Sequence, residues 1–138
     1  MPGYLLDTNV VSELRKRKPH IYVAAWFDSV RDDDIHLSVL VMGEIRQGIE
    51  RLRRRDPDQA DAYDEWLDQL SSGYRERLEP IDMAVAEEWG RLNAVRTLPV
   101  IDGLMAATAQ VHKWTLVTRN VRDFPASVDT LNPFEPPS

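Results

Sequence analysis

The chain contains no cysteine, and that absence removes disulfides, thiolate metal sites and thiol nucleophiles together. Histidine is nearly as scarce. His20, His36 and His112 lack the spacing of a metal-ligand set and read as solvated or packing residues. No apolar run approaches the length of a membrane span, and the first residues lack a basic stretch followed by a long apolar one. The expectation is a soluble, cytoplasmic protein without a membrane partner. Only 6 of the 138 residues are glycine, and they form no phosphate-cradling loop of the nucleotide-binding kind. Charge leans to one sign: 17 Lys and Arg face 23 Asp and Glu, a formal net charge of -6. That balance argues against coating nucleic acid or anionic lipid with the whole surface, while a local basic face stays open.

What is present fits one domain spanning residues 1–138, long enough for a real core. Tyr4–Leu6 read as a short buried strand that stops at Asp7. Thr8 or Asn9 can cap a helix running to about Arg17, and Ile21–Val30 have apolar residues at helical spacing. Asp32, Asp33 and Asp34 read as a solvated turn. Ile35–Leu37 form a second strand, Ser38 caps a helix over Val39–Arg54, and Asp56-Pro57 starts an acidic outer helix, giving a helical hairpin around 39–75. Leu78–Ile81 read as a third strand with Pro80 at its end or edge, and Asp82 caps a helix from Met83 to about Arg96. A small-residue helix follows from Val100, then a strand over Trp114–Val117, a final edge strand within Val128–Leu131, and a non-regular tail at 132–138. Such alternation predicts an α/β fold, a three-layer sandwich with a central, mainly parallel sheet.

In open sheets of this kind, ligands sit beyond the carboxyl ends of the strands. Asp7 follows the first strand, Glu44 opens the helix after the second, Asp102 opens another helix, and Asn120 follows the fourth strand. For Asp7 and Asp102 a helix cap is the plain alternative. Converging carboxylates repel one another, and either take up protons or bind a cation. Oxygen donors without Cys or clustered His suit Mg2+ or Mn2+ better than Zn2+. Beside them the Val39–Arg54 helix turns basic, with Arg46, Arg51, Arg53, Arg54 and Arg55 as candidate phosphate contacts, each equally well explained by solvation. A hard cation next to arginines points to phosphodiester hydrolysis. Thr8, Thr118 and Arg119 are candidate supporting or substrate-facing groups, and Gly48, one turn after Glu44, permits close approach.

Four segments in order, Leu-Leu-Asp7-Thr-Asn-Val-Val-Ser, Val-Met-Gly-Glu44-Ile-Arg-Gln-Gly, Asp102-Gly-Leu-Met-Ala-Ala-Thr-Ala and Thr118-Arg-Asn-Val-Arg-Asp-Phe, resemble the PIN-domain proteins, and more narrowly the VapC-type toxins of prokaryotic toxin–antitoxin pairs. The resemblance spans nearly the whole chain. It implies a PIN-like fold in which Asp7, Glu44 and Asp102 bind Mg2+ or Mn2+ and support endoribonuclease chemistry on structured RNA. The fourth family position, often Asp, is Asn120 here, with Asp123 three residues later, so the resemblance leaves the division of work between them open. Thr8 and Asn9 become supports for the metal shell by the same analogy. A homodimer and a cognate antitoxin are also implied, with DNA bound only indirectly, through the antitoxin.

Other acidic-crevice folds fit less well. A phosphatase of the haloacid-dehalogenase type needs a second Asp where this chain has Asn9, and a receiver-type domain suits neither Glu44 nor the basic helix. The remaining alternative is a non-catalytic PIN-like domain that binds RNA or protein.

Overall fold

The computed structural model describes residues 2–137; Met1 and Ser138, the outermost residues of the expected domain and tail, lie outside the described residues. Five short strands make one parallel sheet: β1 (Tyr4–Leu6), β2 (Ile35–Ser38), β3 (Leu78–Glu79), β4 (Thr115–Val117) and β5 (Thr130–Leu131), in the order β3-β2-β1-β4-β5. Among the described residues six α-helices connect them: α1 (Thr8–Arg15), α2 (Ile21–Ser29), α3 (Val39–Arg53), α4 (Pro57–Gly73), α5 (Met83–Val95) and α6 (Val100–His112). This is the expected α/β sandwich. The sheet order matters for function, because the chain first moves from β1 outward to β3 and then returns to the other side of β1. The switch point therefore falls between β1 and β4, where open sheets of this class hold ligands.

Strands covered on both faces carry apolar residues on both. Leu5 and Leu6 point to opposite faces, and each is essentially inaccessible to water. Complete burial of a leucine stabilises the fold by roughly 1.5–3 kcal/mol. On one face α6 packs on β1 and β4, and its Met105, Ala106, Ala107 and Ala109 are buried. The small residues of α6 thus serve close packing on the sheet. On the other face Leu6 and Leu37 meet Val11, Leu14 and Phe27, with Trp66 and Leu70 of α4 beyond. Val41, Ile45 and Ile49 form the buried stripe of α3, and α3 and α4 pack against each other. A close approach fixes the start of β1. A Cβ on Gly3 would lie 2.0 Å from the Trp114 ring.

Several boundaries differ from the expectations for local reasons. Asp7, rather than Thr8 or Asn9, caps α1, its carboxylate accepting the Thr8 N–H at 2.7 Å. That helix stops at Arg15, where the Glu13 carboxylate accepts both Lys16 Nζ and the His20 N–H at 2.9 Å and turns the chain. β3 keeps only two residues, since Pro80 has no N–H to give a ladder. The Asp32–Asp34 segment is a 3-10 turn and is not fully solvated: Asp34 is buried, and Asp32 pairs with Arg77 at 3.0 Å. Pro99 occupies the cap position of α6, so Asp102 lies inside the first turn and is not the cap. The tail after β5 is non-regular through Pro137, but Phe134 is buried beneath Arg119.

Candidate active site

Asp7 leaves β1 at the switch point, and Thr118 leaves β4 beside it. The Asp7 N–H donates to the Val117 carbonyl at 2.9 Å, extending the ladder by one bond and fixing where the carboxylate emerges. Thr118 is fully buried, and its hydroxyl donates to Asp7 Oδ2 at 2.9 Å while accepting the Asn120 N–H at 3.1 Å. Both oxygens of Asp7 are therefore held, one by the α1 terminus and one by Thr118, and each keeps a further lone pair. Thr8, the next residue, donates its hydroxyl to Glu44 Oε1 at 2.5 Å, which ties the second turn of α3 to the end of β1.

Asp102 enters from α6. Its carboxyl is pushed above the usual carboxylate range, first by burial and then by the negative charges of Asp7, Glu44 and Asp123, with no hydrogen bond opposing them. Four carboxylates from four separate segments thus act on one crevice. Near an α-helix N-terminus the macrodipole offsets part of that repulsion. Asp123 belongs to the 3-10 turn Val121–Asp123, whose position is secured by Arg96 donating to the Asp123 carbonyl at 2.9 Å. Asn120 starts this turn; its side chain is exposed, and its carbonyl accepts the Asp123 N–H at 3.0 Å. Asn9 is exposed on α1.

The donor chemistry is all oxygen, which fits Mg2+ or Mn2+. Among the described residues, no three His, Asp or Glu side chains stand as a ready cage for a metal ion. Mg2+ does not require one: it retains several waters and is held through one or two carboxylates together with substrate phosphates. The mutual repulsion registered on Asp102 is what a bound cation would relieve.

The sequence pattern of the PIN domain matches residues 4–126. The chain belongs to the PIN-domain family. Within it the chain groups with the VapC-type toxins of type II toxin–antitoxin systems. It is 33% identical to the VapC ribonuclease Y4jK of Sinorhizobium fredii, over 96% of this chain and 98% of that protein. It is 32% identical to the toxin FitB of Neisseria gonorrhoeae, over 94% of this chain and 97% of that one. The crystal structure of FitAcB from Neisseria gonorrhoeae superposes with a TM-score of 0.85 at 32% identity, covering 95% of this chain and 98% of that one.

In this PIN domain the arginines of the hairpin are not equivalent. Arg46 pairs with Glu50 at 3.0 Å and with Asp64 of α4, and Arg53 pairs with Glu50 at 3.2 Å, Asp61 at 2.7 Å and Asp64. Arg46 thus faces the acidic stripe of α4 and does not line the groove that contains Glu44. Arg119 lies over the Phe134 ring at 4.1 Å. Residues passed over in the sequence do line that groove: Ser12 and Arg15 of α1, then Gln59 and Tyr63 of α4. A signal was available, since Thr8, Ser12 and Arg15 follow the i, i+4, i+7 spacing of one helix face.

Among the described residues, no helix is long and apolar enough to cross a membrane.

Proposed function

We propose that this chain, as the toxin of a toxin–antitoxin pair, is an endoribonuclease dependent on Mg2+ or Mn2+ that hydrolyses phosphodiester bonds in structured RNA. The observation that carries the reading is the pair of hydroxyl contacts at the switch point, Thr118 to Asp7 and Thr8 to Glu44, with the Asp102 carboxyl on α6 raised by burial and by the charges of Asp7, Glu44 and Asp123. Asp7, Glu44 and Asp102 hold the cation together with the neutral amide of Asn120, and Asp123 adds a further negative charge at the rim. When bound, the cation activates a water and offsets charge developing on the phosphate. Thr118 and the Thr8 N–H keep Asp7 in a single orientation, and the Thr8 hydroxyl does the same for Glu44. Hydroxyl supports of this kind matter because a misaimed ligand costs affinity. Asn9 and Arg119 stand at the rim, where substrate passes.

We further take residues 1–138 as one PIN-like, cytoplasmic domain that pairs with a cognate antitoxin and forms a homodimer, with DNA reached only through the antitoxin. The exposed Met83, Val95 and Val100 on α5 and α6 offer apolar surface for a second copy. A neutral Asn120 where a fourth carboxylate often stands in the family favours one second reading, a non-catalytic domain that binds RNA or protein.

The test is incubation of antitoxin-free protein with a broad panel of structured RNAs, with Mg2+ or Mn2+ and with chelator. Metal-dependent cleavage, lost in Asp7→Asn, is expected; binding without cleavage by the wild type across the panel selects the second reading. Purification from the native operon should yield a small partner that inhibits cleavage.

A further inference from the structure

The residues after β5 form a defined turn. Asn132 and Pro133 are residue types favoured at the first two places of a β-turn, and the Glu135 N–H closes that turn on the Asn132 carbonyl at 3.4 Å. The Asn132 side chain works in two directions. Its Oδ1 accepts the Phe134 N–H at 2.9 Å, which shapes the turn. Its Nδ2 donates to the Arg119 carbonyl at 3.3 Å, 13 residues back in the chain. Pro133 and Phe134 are carried inward by this turn and buried.

Phe134 is engaged from two sides. The Arg119 guanidinium lies over its ring at 4.1 Å, and the His20 imidazole makes an edge-to-face contact with centroids 5.4 Å apart. His20 is itself held by α1, where the Glu13 carboxylate accepts the His20 N–H at 2.9 Å. The tail therefore bridges the entry to α2 and the loop that leaves β4. That loop carries the acidic site. Thr118 donates its hydroxyl to Asp7 and accepts the Asn120 N–H, so residue 119 links the strand that aims Asp7 to the turn bearing Asn120 and Asp123. Arg119 is exposed, and an exposed residue with a long side chain ordinarily keeps its rotamer freedom. Here its carbonyl and its guanidinium are both taken up by the tail.

We propose that Asn132 and Phe134 are positioning residues of the acidic site: the tail clasps Arg119 and so fixes the turn from Asn120 to Asp123 against Asp7. The proposal rests on the metal-dependent ribonuclease reading and adds the chain's last turn to the groups that aim the cation's ligands. A plain core filler accounts for the burial of Phe134 but not for the bond from Asn132 to the Arg119 carbonyl. It would also lower stability alone when removed.

The test uses the full chain without RNA and reads two quantities, Mn2+ affinity by calorimetry and amide hydrogen exchange by NMR. Asn132→Ser keeps an oxygen to accept the Phe134 N–H and gives up the reach to Arg119. Phe134→Leu keeps apolar bulk and gives up the ring. Each is expected to weaken Mn2+ binding about three- to tenfold, less than the loss of a group bonded directly to a ligand. Each should also speed exchange of the Asn120 N–H about fivefold, while the Thr115 N–H, bonded to the Gly3 carbonyl, reports any global loss of stability. Leu78→Ala is the stability control. Leu78 packs on the core from β3, at the far edge of the sheet from β5, so this variant should melt lower and bind Mn2+ as wild type. Wild-type Mn2+ affinity in Asn132→Ser and Phe134→Leu, or unchanged exchange at Asn120, overturns the proposal. So does an equal loss of affinity in Leu78→Ala, which makes the effect one of general stability. A wild type that binds no Mn2+ removes the metal reading instead, and exchange at Asn120 then decides alone whether the tail holds the turn.

Discussion

Thr118 Oγ donates to Asp7 Oδ2 across 2.9 Å, joining the ends of two neighbouring parallel strands from residues 111 positions apart in the chain. The bond lies at the sheet's switch point, so the carboxylate that opens the crevice is aimed by the strand beside it. The same hydroxyl accepts the Asn120 N–H, which couples the turn bearing Asn120 and Asp123 to Asp7. Thr118→Val keeps the shape and removes both bonds. It leaves a half-buried carboxylate oxygen and an exposed residue's backbone N–H to find water instead, at a cost of about 1 kcal/mol. Loss of the aim should weaken Mn2+ binding, read by calorimetry, by about 10–100-fold, with activity falling in step. Thr118→Ser, which restores the hydroxyl, should recover most of both.

Much of this arrangement was legible in the sequence, because it is a property of topology. Asp7, Glu44 and Asp102 each stand where a strand ends or a helix begins, and a parallel α/β order carries such positions to one edge. The brevity of β3 was legible too, from Pro80. What escaped depends on the packing of one helix against another. Arg46 and Arg55 look alike in a run of basic residues, yet the placement of Asp64 on α4 ties down Arg46, while Arg55 faces the groove. Arg15 reads as part of a helix-ending basic cluster until Tyr63 and Trp66 arrive beneath it from a helix more than forty residues later. The three successive aspartates tell the same story: Asp34 is buried because the 3-10 turn feeds directly into β2.

Asp102 lets the crevice's electrostatic strain be measured without substrate. Its carboxyl is raised by burial and by three like charges, so the folded protein binds that proton more tightly than the unfolded chain does. The sign follows from linkage: this group's contribution is fully present below its ordinary, unfolded pKa and is lost as pH rises through the raised folded value. At neutral pH the ionised Asp102 is therefore a destabilising group in the metal-free protein. Asp102→Asn should melt higher than wild type at pH 7 with chelator present, and the difference should shrink as the pH is lowered into the carboxylate range. Mn2+ should raise the melting temperature of the wild type more than that of the variant. A lower melting temperature for Asp102→Asn at pH 7 would contradict the repulsion argument.

Gly48 sits inside α3 with open space around its Cα. Glycine in a helix interior costs about 0.5–1 kcal/mol relative to alanine, since its unfolded chain has more conformations to lose. With no neighbour within 4 Å to resist a methyl group, Gly48→Ala should stabilise the fold by up to about 1 kcal/mol, read as a higher urea midpoint at unchanged slope. Gly3→Ala is the opposite case. A Cβ there would lie 2.0 Å from the Trp114 ring, so the strand or the indole must move, at a cost of about 1–3 kcal/mol. Equal effects at the two sites would mean that the close approach at Gly3 does not constrain β1.

The opposite edge of the sheet contains a cluster that should give the protein a distinct acid sensitivity. The imidazoles of His36 and His112 both stack on Trp114, with ring centroids at 3.8 and 4.3 Å, and Glu79 lies 3.3 Å from His36 and 3.7 Å from His112. Burial holds the His36 pKa below its ordinary value; Glu79 opposes that shift, while Arg77 and His112 add to it. A histidine with a lowered folded pKa stabilises the protein above its unfolded value of about 6.5, and that stability is lost as pH falls through the folded value. His36→Phe keeps an aromatic ring on Trp114 and removes the proton. Its melting temperature should therefore fall less than that of the wild type between pH 7 and pH 5. Glu79→Gln withdraws the one group that favours the charged imidazole, and its melting temperature should fall more steeply over the same interval. If wild type and both variants trace parallel curves, His36 does not contribute to the acid limb.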